Sequence, residues 1–363
     1  MKILAIDTSC DDTSVAISEN LNIHANVSWS KLKTHNDFGG VVPSEAKRQH
    51  KEFLDPVIAE ALNVAHLEIN DIDTVAVTYG PGLAIALEAG IDKAKEICKT
   101  HNKKLIGVNH MIGHIYSSLA RDEEGKAYSG IDDFEFPLLA LTISGGHTDL
   151  YLMSGHMQFE RIGGTLDDAV GEAFDKVGRM LGLGFPAGYK LESLAKSGNS
   201  STYDFPRPMH NTNDYNWSFS GLKTAVLYQI KKIQNEYKGN PIKDDFRMKD
   251  ESNNLDEETI NNLAASFQEA ALESLIIKLR KAISQYNPKM LIIGGGVIAN
   301  QALREKLVAL CENSKTPLFY PVPRWLCTDN ASMIAVAANF YAKNNMYIKD
   351  IDTLDRVPGL EIS

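Results

Sequence analysis

His110 and His114 stand four residues apart in His110-Met111-Ile112-Gly113-His114, and a distant Cys327-Thr328-Asp329-Asn330 adds a carboxylate. On a helix that spacing sets both imidazoles on one face, one turn apart, which is how a helix offers two ligands to one metal ion. Asp329 would complete a two-His, one-carboxylate set with open positions for a substrate. An i, i+4 His pair also occurs as a plain surface feature. Three glycine- or acid-rich turns in the same chain give the pair its weight, because they would bring a phosphate into the same cleft.

The first of these is Asp7-Thr8-Ser9-Cys10-Asp11-Asp12-Thr13, between two strands. Backbone amides in so tight a turn can hold phosphate oxygens, and Asp7 or Asp11 can orient a metal-bound water; an ordinary hairpin loop with Asx turns is the plainer reading. The second, Ser144-Gly145-Gly146-His147-Thr148, would let a phosphate approach the backbone closely, since neither glycine presents a side chain. The third, Gly294-Gly295-Gly296 before a helix, fits a nucleotide lying over a helix N-terminus. Asp168, Glu172 and Asp175 fall on one face of a helix expected over 167–181, beside apolar Val170, Ala173, Phe174 and Val177. Such carboxylates usually solvate a helix, but acids bordering a buried stripe often face a site.

The elements that must position these residues alternate strand and helix. Lys2–Ile6 and Ser14–Ser18 read as strands joined by a polar turn, Asp73–Thr78 as a strand ending at Gly80-Pro81-Gly82, and 83–98 as a helix. Leu105–Val108 runs straight into the His110 helix. A second hairpin, Leu138–Ser144 and Asp149–Met153, repeats the layout of the first. A long helix over Leu263–Ser284, a buried strand at 290–293, a helix from about Asn300, a strand at Leu318–Pro321 and a helix from about Asn330 to Asn344 complete the chain. This alternation implies α/β architecture with mostly parallel sheets, and the two hairpins imply a duplicated two-domain fold with a cleft between the halves. The expected division is 1–130 and 131–345, with a polar insertion at about 232–258 and a tail over 346–363.

The chain of 363 residues is long enough for two cores. Its apolar runs are too short to span a bilayer, and Met1-Lys2-Ile3-Leu4-Ala5-Ile6-Asp7 already reads as a buried strand, so neither a membrane span nor a leader peptide is expected. Four cysteines without a CxxC fit reduced thiols and a cytoplasmic location. The net charge of −10 argues against general nucleic-acid coating. Two loose basic groups remain: Lys31, Lys33, His35, Lys47, Arg48, His50 and Lys51, then Lys190, Lys196, Arg207 and Lys223. Solvated surface is the plainer account of both, and an RNA substrate would need one focused patch or a partner.

Taken together the motifs resemble the tRNA threonylcarbamoyladenosine transferase family, formerly named O-sialoglycoprotein endopeptidases. The resemblance runs from Met1 to about Asn344 and includes Asp7–Asp11, Phe38-Gly39-Gly40-Val41-Val42-Pro43, Gly80-Pro81-Gly82-Leu83, the His pair, Ser144–Thr148, Ile162–Thr165, Asp167–Lys176, Phe219–Thr224, Gly295-Gly296-Val297 with Asn300, and Cys327–Asn330. It implies an ASKHA fold, the two-domain architecture of actin, Hsp70 and sugar kinases, with the active site between the domains. It implies metal ligands at His110, His114 and Asp329 for one divalent ion, Fe2+ or Zn2+. Nucleotide contacts would fall on Thr142, Ile143, Ser144, Gly145, Gly146, Asp175, Gly188 and Asn300. The implied reaction moves threonylcarbamoyl from threonylcarbamoyl-AMP to N6 of adenosine 37 in tRNAs that read ANN codons. Asp11 or Asp12 is the candidate for taking the proton of the amine. The implied partners are a related inactive ASKHA protein and a small P-loop ATPase.

Three departures surround this site. Ser44 stands where the family has Glu after Val-Val-Pro, Ile112 replaces a Glu inside the His pair, and Pro186-Ala187-Gly188-Tyr189 replaces Pro-Gly-Gly-Pro. Ala187 is expected to crowd a phosphate or strain a positive-φ turn. A metalloprotease is disfavoured because Met111 follows the first His where the helical zinc-protease motif needs Glu. An ASKHA sugar kinase or ATPase would leave the His/Asp set without a purpose. A non-catalytic scaffold paralogue would rest on the departures.

Overall fold

The computed structural model describes residues 1–29, 43–234 and 255–362, with side chains in the first helix described from Arg48 onward. The insertion expected at 232–258, the first part of the first basic group and Ser44 therefore lie largely or wholly outside the described residues. The first lobe holds β1 (Lys2–Asp7), β2 (Thr13–Glu19), β3 (Asn22–Trp29), α1 (Pro43–Val64), β4 (Thr74–Gly80), α2 (Ala84–His101), β5 (Lys104–Asn109) and α3 (His110–Tyr116). The second holds β6 (Leu138–Ile143), β7 (Thr148–Gly155), β8 (Gln158–Gly164), α4 (Val170–Met180), α5 (Gly188–Ala195), α6 (Ser220–Ile233), α7 (Glu257–Tyr286), β9 (Met290–Gly294), α8 (Gln301–Ser314) and β10 (Leu318–Phe319). The short α9 (Arg324–Cys327) and then α10 (Ala331–Lys343) follow.

The two sheets have the same plan. Their strand orders are β3-β2-β1-β4-β5 and β10-β9-β6-β7-β8. In each, a meander of three antiparallel strands is followed by two parallel ones: β1 pairs antiparallel to β2 and parallel to β4, as β6 pairs with β7 and β9. Central strands such as β6 are buried at every residue, because helices cover both faces, and so they show no alternation in sequence. The third strand of each meander, β3 and β8, has mixed exposure and escaped the sequence reading.

Between the sheets lies a shared core. Met111, Ile112 and Ile115 of α3 and Met333, Ile334 and Phe340 of α10 pack there with Ile3, Ala76 and Ile106 from one sheet and Leu138, Ala140 and Ile292 from the other. Ala331 through Ala342 are all buried, which accounts for a sequence in α10 that is apolar around the whole helix apart from Ser332 and Asn339. That helix packs on β1, β2 and β5, so the end of the chain returns to the first sheet. Two further cores lie on the outer faces of the sheets.

Candidate active site and metal centre

The His pair and Asp329 arrive at the starts of two capped helices. Asn109 caps α3, its Oδ1 accepting from the amides of Met111 at 2.8 Å and Ile112 at 3.3 Å. Asn330 caps α10 by accepting from Met333 N at 3.1 Å. The helices cross closely at Gly113, where an added Cβ would lie 2.9 Å from Ile334 Cδ1. This crossing brings the three candidate ligands together. His110 Nε2 is 3.3 Å and His114 Nε2 3.2 Å from the same Asp329 oxygen, and the imidazoles meet edge to face with centroids 4.7 Å apart.

The three side chains fit a metal ion. Their ligand atoms all lie within 4.8 Å of one another. Both nitrogens of buried His114 lack a hydrogen-bond partner: Nε2 is close to Asp329 without hydrogen-bond geometry, as two ligands of a common ion would be. The field also favours a cation. Burial opposes charge on His110, yet Asp329 and Asp7 outweigh it and lift the imidazole to about 10. Burial, together with the neighbouring His110 charge, keeps His114 low. Asp329 is buried too, but the imidazoles hold it well below the usual carboxylate range. His110 Nδ1 also lies 3.6 Å from Asp7 Oδ1, a contact that can orient the ring.

A cleft of about 990 Å³ opens over this centre. On the first-lobe side it is lined by Ser9, Cys10, Asp12, Gly82 and His110, and on the other by Gly145, Gly146, Glu172, Asp175, Lys176 and Arg179. The Asp7–Thr13 turn thus reaches the cleft through Ser9, Cys10 and Asp12, while Asp11 lies beside Cys10 and is not among the lining residues. His50, expected on a basic surface, is instead fully buried. It holds the turn from α1: its Nε2 is 3.1 Å from the Cys10 carbonyl and its Nδ1 2.7 Å from Thr13 Oγ1. A carbonyl only accepts, so Nε2 carries the proton, and burial keeps the ring neutral. Lys223 also leaves its expected surface group, being buried against Asp168 at 2.6 Å.

The glycine turns differ in what they do. Added Cβ atoms at Gly145 and Gly146 would meet nothing within 4 Å, so this turn is open to the cleft. It sits at the start of α4, where Thr148 Oγ1 accepts from Val170 N at 2.9 Å. Gly294 and Gly295 serve packing: their Cβ atoms would fall 2.4 Å from the carbonyls of His114 and Ile143 respectively, and Gly295 has φ +98°. Only Gly296 of that run lines the cleft. Thr142 and Ile143 are fully buried in β6. Asn300 caps α8 through Leu303 N and donates to Gln268 Oε1 at 2.9 Å, and it is not among the lining residues.

The helix expected from Asp167 begins three residues later. Asp167 accepts from the amides of Phe219 and Ser220 at the start of α6, and Asp168, which precedes the helix, bonds Lys176 and Lys223; Lys176 also pairs with Glu172 at 2.7 Å, so Asp168 and Glu172 meet on one ammonium. Asp175 accepts from Ala187 N at 2.8 Å and Gly188 N at 3.2 Å; burial raises its pKa while those amides lower it, and the net is upward. Ala187 does not strain the turn. Its φ is −109°, and its methyl is buried against Gly178, whose own Cβ would lie 2.3 Å away. Gly188 remains open, and Tyr189 is exposed. Ile112 is core, which explains an apolar residue there. The sequence reading did not single out Lys176, Arg179 or His147 as cleft residues; the charged pair at helical spacing after Glu172 was the available signal.

The comparisons with known proteins agree with this geometry. The family model described as "TsaD: tRNA N6-adenosine threonylcarbamoyltransferase" matches residues 22–336. A protein of that name from Thermosipho africanus is 42% identical over 363 residues, covering 100% of both chains. One from Staphylococcus saprophyticus is 45% identical over 94% of this chain and 91% of its own. Among solved structures, HypF of T. kodakarensis superposes with a TM-score of 0.61 at 13% identity, over 94% of this chain and 48% of that longer one. A likeness at that identity speaks for the fold alone, which is the expected ASKHA architecture of two equivalent sheets around a cleft. The full-length match to relatives decides the family: the chain belongs to the tRNA N6-adenosine threonylcarbamoyltransferases.

Proposed function

We propose that this chain transfers threonylcarbamoyl from threonylcarbamoyl-AMP to N6 of adenosine 37 in tRNAs reading ANN codons, with one divalent ion, Fe2+ or Zn2+, held by His110, His114 and Asp329. The observation that carries this reading is the convergence of those three side chains beneath a cleft that His110 and Asp329 line and whose opposite wall is an open glycine turn at a helix start. The ion would supply Lewis-acid polarisation of an acyl or phosphate oxygen.

The chain's own residues fit the remaining tasks. Transfer forms a bond from the carbamoyl carbon to N6 and breaks the bond from that carbon to the phosphate oxygen. AMP leaves with the electron pair, and the amine gives up a proton. The Gly145 amide and Arg179 suit the phosphate, while the Gly146 amide donates to Ser144 Oγ at 3.3 Å and Lys176 bridges Asp168 and Glu172 beside it. Asp175 anchors the turn at Gly188 beside it. Asp12, rather than Asp11, faces the cleft and is the better candidate to accept the proton. The cleft holds both reactants in one place, which is worth more to the rate than any single contact.

The same reading includes an inactive ASKHA subunit and a small P-loop ATPase as partners, and work in the cytoplasm; no helix among the described residues is long and apolar enough to cross a membrane. The test is metal content by elemental analysis of wild type, His110→Ala and Asp329→Ala, followed by reconstitution with threonylcarbamoyl-AMP and tRNA. Near-stoichiometric iron or zinc, lost in both variants together with tRNA modification, is expected. A wild type that takes up no more metal than the variants after anaerobic loading would overturn the reading and favour a scaffold.

A further inference from the structure

Beyond α10 the chain returns to the cleft from behind. Leu354 is buried in the outer core of the first lobe and Ile362 in the core between the sheets. Between them the backbone runs along the turn that follows β4: Val357 N donates to Tyr79 O at 2.7 Å, and Gly82 N donates to Pro358 O at 3.1 Å. That turn in its turn carries the acid-rich one. Leu83 N donates to Ser9 O at 2.8 Å, and a Cβ on Gly82 would fall 2.4 Å from the same carbonyl. Farther along, Asn109 Nδ2 donates to Glu361 O at 3.4 Å, while the Oδ1 of that side chain caps the His110 helix. Residues 359–362 then line a small cavity of about 220 Å³ together with Gly146, His147 and Arg161 of the second lobe.

We propose that residues 354–362 are a positioning segment for the transfer reaction, holding the Ser9–Asp12 turn and the His110 helix in register across the cleft. One stretch of chain bonds to the support of the Ser9–Asp12 turn and to the cap of the His110 helix, and it lines a cavity shared with the glycine turn. The inference rests on the transferase reading of the cleft. A shift of about 1 Å between reacting groups costs on the order of a hundredfold in rate, so a brace at this place acts on kcat.

Gly80 offers a selective probe. Its Cβ would lie 2.0 Å from Val357 O, 2.9 Å from Leu360 Cβ and 3.0 Å from Val357 C, so its three nearest neighbours all belong to the segment. The experiment compares wild type, Gly80→Ala, a chain ending after Asp355, and the two changes combined. Each is measured for kcat and KM, metal content, and hydrogen exchange of the amides of residues 9–12. We expect each single change to lower kcat by roughly ten- to a hundredfold, with metal retained, KM for tRNA nearly unmoved and exchange at 9–12 accelerated. The combination should be no worse than the truncation, because the methyl then has nothing to displace. Wild-type kcat and slow exchange in a folded truncated chain would overturn the proposal, as would strict additivity. Failure of both single variants to fold or to hold metal would assign the segment a stabilising role only. Wild type without transferase activity would count against the reading of the cleft, and the exchange comparison would still decide the role of the segment.

Discussion

At the scale of single residues, two glycines near His114 look alike in sequence and differ in what surrounds them. A Cβ at Gly113 would meet Ile334 Cδ1 at 2.9 Å and Met333 Cγ at 3.2 Å, both atoms of side chains that can turn aside. A Cβ at Gly294 would meet the His114 carbonyl at 2.4 Å and its carbon at 2.6 Å, and backbone inside a packed core has no room to yield. Gly113→Ala should therefore cost about 1 kcal/mol or less, the crowding being offset by the better helix propensity of alanine. Gly294→Ala should cost about 3 kcal/mol and push His114 away from Asp329. Urea unfolding with parallel elemental analysis checks both: Gly113→Ala keeps its metal, and Gly294→Ala loses most of it. Equal metal content in the two variants would refute the distinction. The candidate His pair was legible from sequence, because a four-residue spacing states a helix face directly. The work of Gly294 was not, because it depends on which backbone lies opposite, and only tertiary structure supplies that.

At the scale of elements, the start of α4 departs most from its sequence pattern. Helical periodicity extends back to Asp167, yet both aspartates are taken by long-range partners: Asp167 by the amides that begin α6, and Asp168 by Lys176 and Lys223. Local propensity loses to these contacts because each satisfies a polar group that would otherwise be left without a partner where the two helices meet. The loss of β3 and β8 from the sequence reading has a related cause. β8 carries neither a continuous apolar run nor clean alternation, and β3, whose Ile23, Ala25, Val27 and Trp29 do alternate with polar residues, lacks the continuous apolar run that marks buried β6 and β9. The Asp168 cluster makes a pH prediction. Burial pushes the carboxyl up, but hydrogen bonds and charge from Lys176 and Lys223 outweigh it, so its pKa lies below the ordinary value of 3.8. A depressed carboxylate stabilises the fold fully above that ordinary value and loses its contribution as pH falls through the folded one. Asp168→Asn should thus lower stability by about 3 kcal/mol near neutral pH, since it strips buried Lys223 of its carboxylate. The gap in thermal midpoint between wild type and variant should shrink as pH falls below 3.8. A gap independent of pH would mean that the cluster stabilises by packing and not by charge.

At the scale of the whole molecule, the repeated strand pairing and the shared core pull in opposite directions. Two equivalent sheets, each with an outer core, suggest lobes that could melt separately. The middle core does not divide that way: α3 is packed by both sheets at once, and α10, though it follows the second lobe in sequence, lies on the first sheet and against α3. Ala331 N also donates to Ser14 Oγ, which ties the start of that helix to β2. Neither lobe can therefore open without exposing buried apolar surface that belongs to the other, and exposure of that kind is what makes unfolding cooperative. The candidate metal centre sits at this junction, since His110, His114 and Asp329 all begin or adjoin the two central helices. We expect one calorimetric transition, with midpoints that coincide when followed from Trp29, stacked on Phe53 in the first lobe, and from Trp217, buried in the second, each kept as the sole tryptophan. Removing the metal should lower both midpoints together, because an ion bound only by the native state stabilises the whole cooperative unit. Two resolved transitions, with only one of them sensitive to metal, would show instead that the lobes unfold on their own and that the central helices belong to one of them.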